Sequence, residues 1–82
     1  MISYKPLFRL LLERDMTKTQ LRESVGFSTA TLAKMSKCEY ISLETIENIC
    51  KCLNCKIEDV IEFLWNIFTL IYSPKVFLIL FK

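Results

Sequence analysis

The sequence predicts an all-α domain of five short helices, followed by an apolar C-terminal extension. Over residues 1–64, apolar residues recur at intervals of three and four, which is the spacing of one face of a helix. The 82 residues include one glycine and two prolines, too few for the tight turns of a small all-β fold. They include no histidine, the commonest general base and metal ligand, so we expect neither an enzyme nor a metal or cofactor site.

Ser3 is predicted to cap the first helix, with Pro6 in its first turn, where a missing N–H group costs nothing. Its inward-facing positions are Tyr4, Leu7, Phe8, Leu11 and Leu12. A second helix is predicted to begin at Thr17, because Thr17 and Gln20 have the spacing of a capping box. We expect it to end at Gly26, the residue type that most readily adopts the left-handed conformation of a helix end.

Ser28 is the predicted start of the third helix, which turns Leu32 and Met35 inward. Two helices joined by a short turn that contains glycine are typical of a helix-turn-helix. Ser42 is the predicted start of the fourth helix and Asn54 its end. The inward positions of the fourth helix are Leu43, Ile46, Ile49, Cys50 and Leu53, and those of a fifth, continuing towards Tyr72, are Ile57, Val60, Ile61 and Leu64.

The segment Thr17–Lys37 resembles the Cro and lambda-repressor-like (Xre-type) DNA-binding family. The family's apolar positions fall on Leu21, Val25, Phe27, Leu32 and Met35. The resemblance extends over residues 1–63, which we take as the helix-turn-helix domain. It implies that the third helix, residues 28–37, enters the major groove of double-stranded DNA, and that two copies bind together as a homodimer.

The resemblance also implies which side chains touch DNA. Those expected at base edges are Ser28, Thr29, Ala30, Thr31, Ala33 and Lys34, and those expected at phosphates are Thr17, Lys18, Thr19, Arg22 and Lys37. Arg22 departs from the alanine of many family members, so its bulky side chain is expected to lean outward along its aliphatic stem. Because the third helix contains no Arg, Asn or Gln for bidentate base pairing, phosphate contacts and DNA shape should contribute much of the specificity.

The charge distribution agrees with a polyanionic partner. The net charge is +2, but residues 1–37 carry seven basic and three acidic side chains, whereas residues 38–62 carry two basic and six acidic ones. The first segment is therefore at +4 and the second at −4. A basic face beside an acidic one favours the binding of nucleic acid through the basic half.

The four cysteines do not have the spacing of a zinc site. Cys50 and Cys52 point to different faces of one helix, while Cys50 and Cys55 fall on apolar positions and are expected in the core. A zinc site with Cys38 and a redox-sensing role are the disfavoured alternatives. The first residues lack the pattern of a secretory signal peptide, so we expect a cytoplasmic protein with reduced thiols.

Residues 64–82 form the apolar C-terminal tail. Fourteen of the twenty residues from position 63 onward are apolar, but Asn66, Ser73, Pro74 and Lys75 interrupt them. Pro74 is expected to end any helix near Tyr72, leaving a strand-like segment at 76–81. The interpretation that we favour for residues 63–82 is a dimer interface. Packing against the helices of the same chain is the second alternative, and association with a membrane is the least favoured one.

Together these patterns predict a sequence-specific DNA-binding transcriptional regulator, a repressor, acting as a homodimer. Two alternatives remain open. One is a DNA-binding antitoxin that binds a toxin through its tail, and the other is a protein-interaction module that keeps the fold without binding DNA.

Overall fold

The computed structural model describes residues 1–64, which contain four α-helices, a two-stranded sheet and one 3-10 turn. In chain order these elements are β1 (Ile2–Ser3), α1 (Lys5–Glu13), α2 (Lys18–Val25), α3 (Thr29–Ser36), α4 (Leu43–Leu53), the 3-10 turn (Ile57–Asp59) and β2 (Glu62–Phe63). The predicted continuation of a fifth helix from position 65 to Tyr72 and the strand-like segment at 76–81 lie outside the described residues.

The ends of α2, α3 and α4 confirm the prediction from local sequence. The side chain of Thr17 and that of Gln20 form the reciprocal capping box at the start of α2. Ser28 caps α3 and Ser42 caps α4 through hydrogen bonds from amides three residues on. Gly26 ends α2 with a φ of 92°, and Asn54 ends α4 with a φ of 50°, both in the left-handed region.

One core joins all the helices. Its buried hydrophobic residues are Ile2, Tyr4, Leu7, Leu11, Leu21, Phe27, Met35, Ile46, Ile49, Leu53 and Val60. Helix α2 packs on both α3 and α4, which holds the second and third helices in a fixed relation. Of the five apolar positions given by the family resemblance, Leu21, Phe27 and Met35 lie in this core, and Val25 and Leu32 pack against it.

Within residues 57–64 the prediction of a fifth helix is wrong, and Ile57 and Leu64, expected on its inner face, are 48% and 43% exposed. Only Ile57–Asp59 form a turn, and the carbonyl of Val60 accepts a hydrogen bond from the amide of Leu7 at 3.2 Å instead of continuing a helix. The chain then becomes extended, and Glu62–Phe63 pairs antiparallel with Ile2–Ser3. The fold is therefore mostly helical rather than all-α, because the two ends of the domain close it with a small sheet.

Three further predictions about individual positions are wrong. Tyr4, rather than the predicted Ser3, is the N-cap of α1, because Ser3 is buried in β1, where its Oγ accepts a hydrogen bond from the Lys5 amide at 3.2 Å. Leu12 is 77% exposed and Leu43 is 72% exposed, although helical spacing placed both on inner faces. Each lies at the edge of its apolar stripe, where spacing alone does not separate inside from outside.

Within residues 1–64, none of the helices has both the length and the apolar character needed to cross a lipid bilayer.

Candidate nucleic-acid interface

The outward side of α3 is short, polar and basic. Met35 is fully buried and Leu32 packs against the core, so the opposite side of the helix faces solvent. Five exposed residues occupy that side, and we call them the α3 outer face: Thr29, Ala30, Ala33, Lys34 and Lys37. Because Ala30 and Ala33 have small side chains, a partner can approach the backbone of α3 closely between Thr29 and the lysines.

The hydroxyls of Ser28 and Thr31 are engaged with each other. Ser28 Oγ accepts a hydrogen bond from the Thr31 amide at 3.1 Å, and the two side-chain oxygens are also 3.1 Å apart. Thr31 is half-buried, whereas Ser28 is exposed at the helix start. Both residues were predicted at base edges, and the structure gives both a role in capping α3.

The start of α2 presents a second exposed group of predicted residues. The Thr17 hydroxyl accepts a hydrogen bond from the Gln20 amide at 3.0 Å, and the Gln20 side chain accepts one from the Thr17 amide at 2.8 Å. The amides of Lys18 and Thr19 take no part in this capping box and lie at the positive end of the helix dipole. The Lys18 ammonium lies 4.1 Å from the centre of the Phe8 ring, which holds it against α1.

Arg22 lies along the turn between the two helices. Its guanidinium donates a hydrogen bond to the Phe27 carbonyl at 3.5 Å and lies 4.0 Å from the Glu23 carboxylate. The side chain is 27% exposed, so its stem is largely covered while its charged end reaches the rim of the turn. Arg22 therefore links α2 to Phe27, in the turn that leads to α3.

The loop after α3 contains contacts that sequence reasoning missed. Cys38 has a φ of 58°, and its amide donates to the Met35 carbonyl at 3.1 Å. The Tyr4 hydroxyl donates a hydrogen bond to the Glu39 carbonyl at 2.6 Å. A tyrosine at a core position was a signal for such a bond, because a buried hydroxyl needs a partner, but the sequence did not say where that partner lies.

The cysteines divide into two environments. Cys38 and Cys52 are exposed, whereas Cys50 and Cys55 are half-buried and pack against the core, as predicted for the latter two. Burial and then the neighbouring Cys50 raise the pKa of the Cys55 thiol. Across residues 1–64, which include all four cysteines, no three Cys, Asp or Glu side chains are grouped so that they could hold a metal ion.

Comparison with known proteins agrees with this geometry. Residues 7–64, more than half of the chain, match the model of the Cro/C1-type HTH DNA-binding domain. The chain is 41% identical over 56 residues to the uncharacterized HTH-type transcriptional regulator YozG of Bacillus subtilis (strain 168), a match that spans 66% of this chain and 67% of that protein.

A solved structure supports the same assignment. The crystal structure of the transcriptional regulator VanUg superposes with a TM-score of 0.77 at 48% sequence identity, covering 79% of this chain and 87% of that one. Domains of this kind are typically not enzymes. The chain therefore belongs to the Cro/C1-type helix-turn-helix family, a family of DNA-binding domains of transcriptional regulators.

Proposed function

We propose that the protein is a cytoplasmic, sequence-specific DNA-binding repressor that acts as a homodimer and inserts α3 into the major groove. The observation that supports this most strongly is the α3 outer face, which has two lysines, no acidic side chain and no bulky apolar one. A helix of this width fits the major groove, and the low surface at Ala30 and Ala33 allows its backbone to approach the bases.

At the base edges we assign the leading roles to Thr29 and Lys34. The Thr29 side chain offers a hydroxyl and a methyl group, which suit a base edge or a thymine methyl. Lys34 donates to guanine O6 or N7, and Ala30 and Ala33 make close apolar contact. Ser28 and Thr31 contribute through the capped start of the helix, because each hydroxyl is already hydrogen-bonded to the other residue.

At the phosphates we assign the start of α2 together with two flanking cations. The Lys18 and Thr19 amides, supported by the capping box of Thr17, receive one phosphate at the helix N-terminus. Lys37, at the end of α3, and Arg22, at the rim of the turn, contact the backbone on either side. The charge split between residues 1–37 and 38–62 supports this assignment, since all of these groups lie in the basic half.

A charge reversal on α3 tests this function. Lys34→Glu should abolish binding to a duplex selected by the wild-type protein, because it places a carboxylate against base acceptors and phosphates. Lys51→Glu is the matched control: it makes the same charge change on α4, at an exposed side chain that pairs with Glu47 at 3.2 Å. Fluorescence anisotropy at several salt concentrations gives the affinities.

The salt dependence adds a quantitative expectation. The two phosphate-contacting cations of each protomer, Arg22 and Lys37, make four in a dimer and give a slope of about −4 for log affinity against log salt. Equal binding by the Lys34→Glu and Lys51→Glu variants would contradict the assignment of α3. Absence of binding to every duplex would favour the alternative of a protein-interaction module.

A further inference from the structure

The hydroxyl of Tyr4 is buried in the core and yet bonded to a loop far along the chain. Tyr4 is 1% exposed, and its hydroxyl donates to the Glu39 carbonyl, 35 positions away, at 2.6 Å. Tyr4 therefore holds the Glu39 peptide group, in the loop that leaves α3.

That loop is continuous with the end of α3. The Glu39 amide donates to the Lys34 carbonyl at 2.9 Å, while the Glu39 carbonyl accepts from Tyr4. Lys37, the C-cap of α3, lies in the sequence between Lys34 and Glu39. One residue, Glu39, thus connects the Tyr4 hydroxyl directly to the backbone of Lys34.

The backbone of Tyr4, at the other end of this hydrogen bond, is held by the sheet and by α1. Tyr4 follows β1, which is paired with β2, and its own carbonyl accepts a hydrogen bond from the Phe8 amide at 3.0 Å. Its backbone is therefore fixed by both the sheet and the first turn of α1. A movement of the end of α3 relative to the rest of the domain has to break or stretch the Tyr4 bond.

We propose that Tyr4 is a positioning residue for DNA recognition, whose hydroxyl sets the orientation of the C-terminal end of α3 and of the lysines Lys34 and Lys37. The inference rests on the proposed function of α3 and extends it to a buried residue that touches no DNA. A lysine that contacts a base edge has to be held within a narrow range of positions, whereas a phosphate contact tolerates more movement.

The test is Tyr4→Phe in the full chain, because this change removes one hydroxyl and keeps the ring. The matched control is Ile49→Val, which shortens a fully buried side chain of α4 and keeps the Tyr4 hydroxyl that bonds to Glu39. Binding to the selected duplex and to a scrambled duplex is measured for both variants, with thermal unfolding as the measure of stability. We expect Tyr4→Phe to weaken binding to the selected duplex about tenfold, because part of the free energy of one base contact is lost. Binding to the scrambled duplex should weaken less than about twofold.

Amide hydrogen exchange supplies a measurement that does not depend on DNA. In Tyr4→Phe the Glu39 amide should exchange faster than in the wild-type protein. In Ile49→Val the exchange rate of the Glu39 amide should change no more than the rates of the core amides do. Equal losses of affinity for both duplexes, or the same losses in Ile49→Val, would overturn the proposal for Tyr4 alone. Failure of the wild-type protein to bind any duplex would instead overturn the proposed function of α3 and, with it, the role of Tyr4.

Discussion

At the scale of single residues, the cysteines show how the fold sets chemical reactivity. Cys55 lies half-buried beyond the end of α4, next to Cys50. Burial is the largest cause of the raised pKa of its thiol, and the charge and hydrogen bond of Cys50 raise this pKa further. The positive charge of Arg14 lowers the pKa and is the smallest of these effects. Since the thiolate is the nucleophile, Cys55 should be the less reactive kind of cysteine, and the exposed Cys38 and Cys52 the more reactive kind.

This difference predicts the order of alkylation by iodoacetamide in the folded protein. At pH 8 a raised pKa leaves less thiolate, so the half-buried Cys55 should react more slowly than the exposed Cys38 or Cys52. Peptide mass spectrometry over a time course gives the three rates, and modification of Cys55 as fast as Cys52 would contradict the environment described for it.

The sequence predicts the burial of a residue when the residue falls on an apolar position of a helix pattern. Cys50 and Cys55 were predicted in the core because they fall on apolar positions, and both pack against it. The partner of the Tyr4 hydroxyl was not predictable, because Glu39 contributes only a backbone carbonyl and any residue could supply one. The roles of Thr29 and Lys34 at DNA remain predictions.

At the scale of elements, short caps define the helix-turn-helix. Gly26 adopts a φ of 92° between α2 and the start of α3, and a Cβ built there has no heavy atom of a non-neighbouring part of the chain within 4 Å. A side chain there would therefore meet backbone strain but no steric clash. The turn needs glycine for its conformation rather than for close packing.

Gly26→Ala should consequently have a limited cost. We expect a loss of about 1 kcal/mol in the free energy of unfolding, the penalty for an ordinary residue in the left-handed region. For a domain of this size, thermal unfolding monitored by circular dichroism should show a decrease of about 4–8 °C in Tm. Gly26→Asn is the control and should lose less, because asparagine tolerates this conformation. A much larger loss for alanine would indicate a clash that the structure does not contain.

The elements that were predicted correctly are those whose signals are local. The capping box of Thr17, the caps at Ser28 and Ser42, and the left-handed end at Asn54 each depend on residues within one turn. The sheet was missed because Ile2 pairs with Phe63, at the opposite end of the domain. Apolar spacing after residue 57 fits a helix as well as it fits a turn followed by a strand, and only the distant pairing decides between them.

At the scale of the whole molecule, the domain has a basic half that contains the helix-turn-helix and an acidic half that supports it. The predicted DNA contacts all fall in residues 1–37, whereas six of the nine acidic residues fall in 38–62. Such a division orients the protein on a polyanion before any specific contact forms. The four α-helices and the position of α3 could be predicted from the sequence, whereas the sheet that joins the two ends of the domain could not.

Removal of residues 66–82 tests the proposal that the tail joins two copies. The full chain should have the mass of a dimer in solution by light scattering, and the chain ending at residue 65 the mass of a monomer, because the removed segment contains most of the apolar tail. A helical circular dichroism signal retained in the shortened chain serves as the control for folding. An unchanged dimer would assign the interface to residues 1–65.

Selection from a pool of random DNA duplexes tests the central claim most directly, since the protein itself chooses the sequence that it binds. A homodimer that reads the major groove with α3 should enrich a palindromic sequence whose half-sites are separated by about 10 base pairs, centre to centre. The same selection with Lys34→Glu should enrich nothing, and with Lys51→Glu it should enrich the wild-type site. Absence of any enriched sequence with the wild-type protein would contradict sequence-specific binding of DNA by α3.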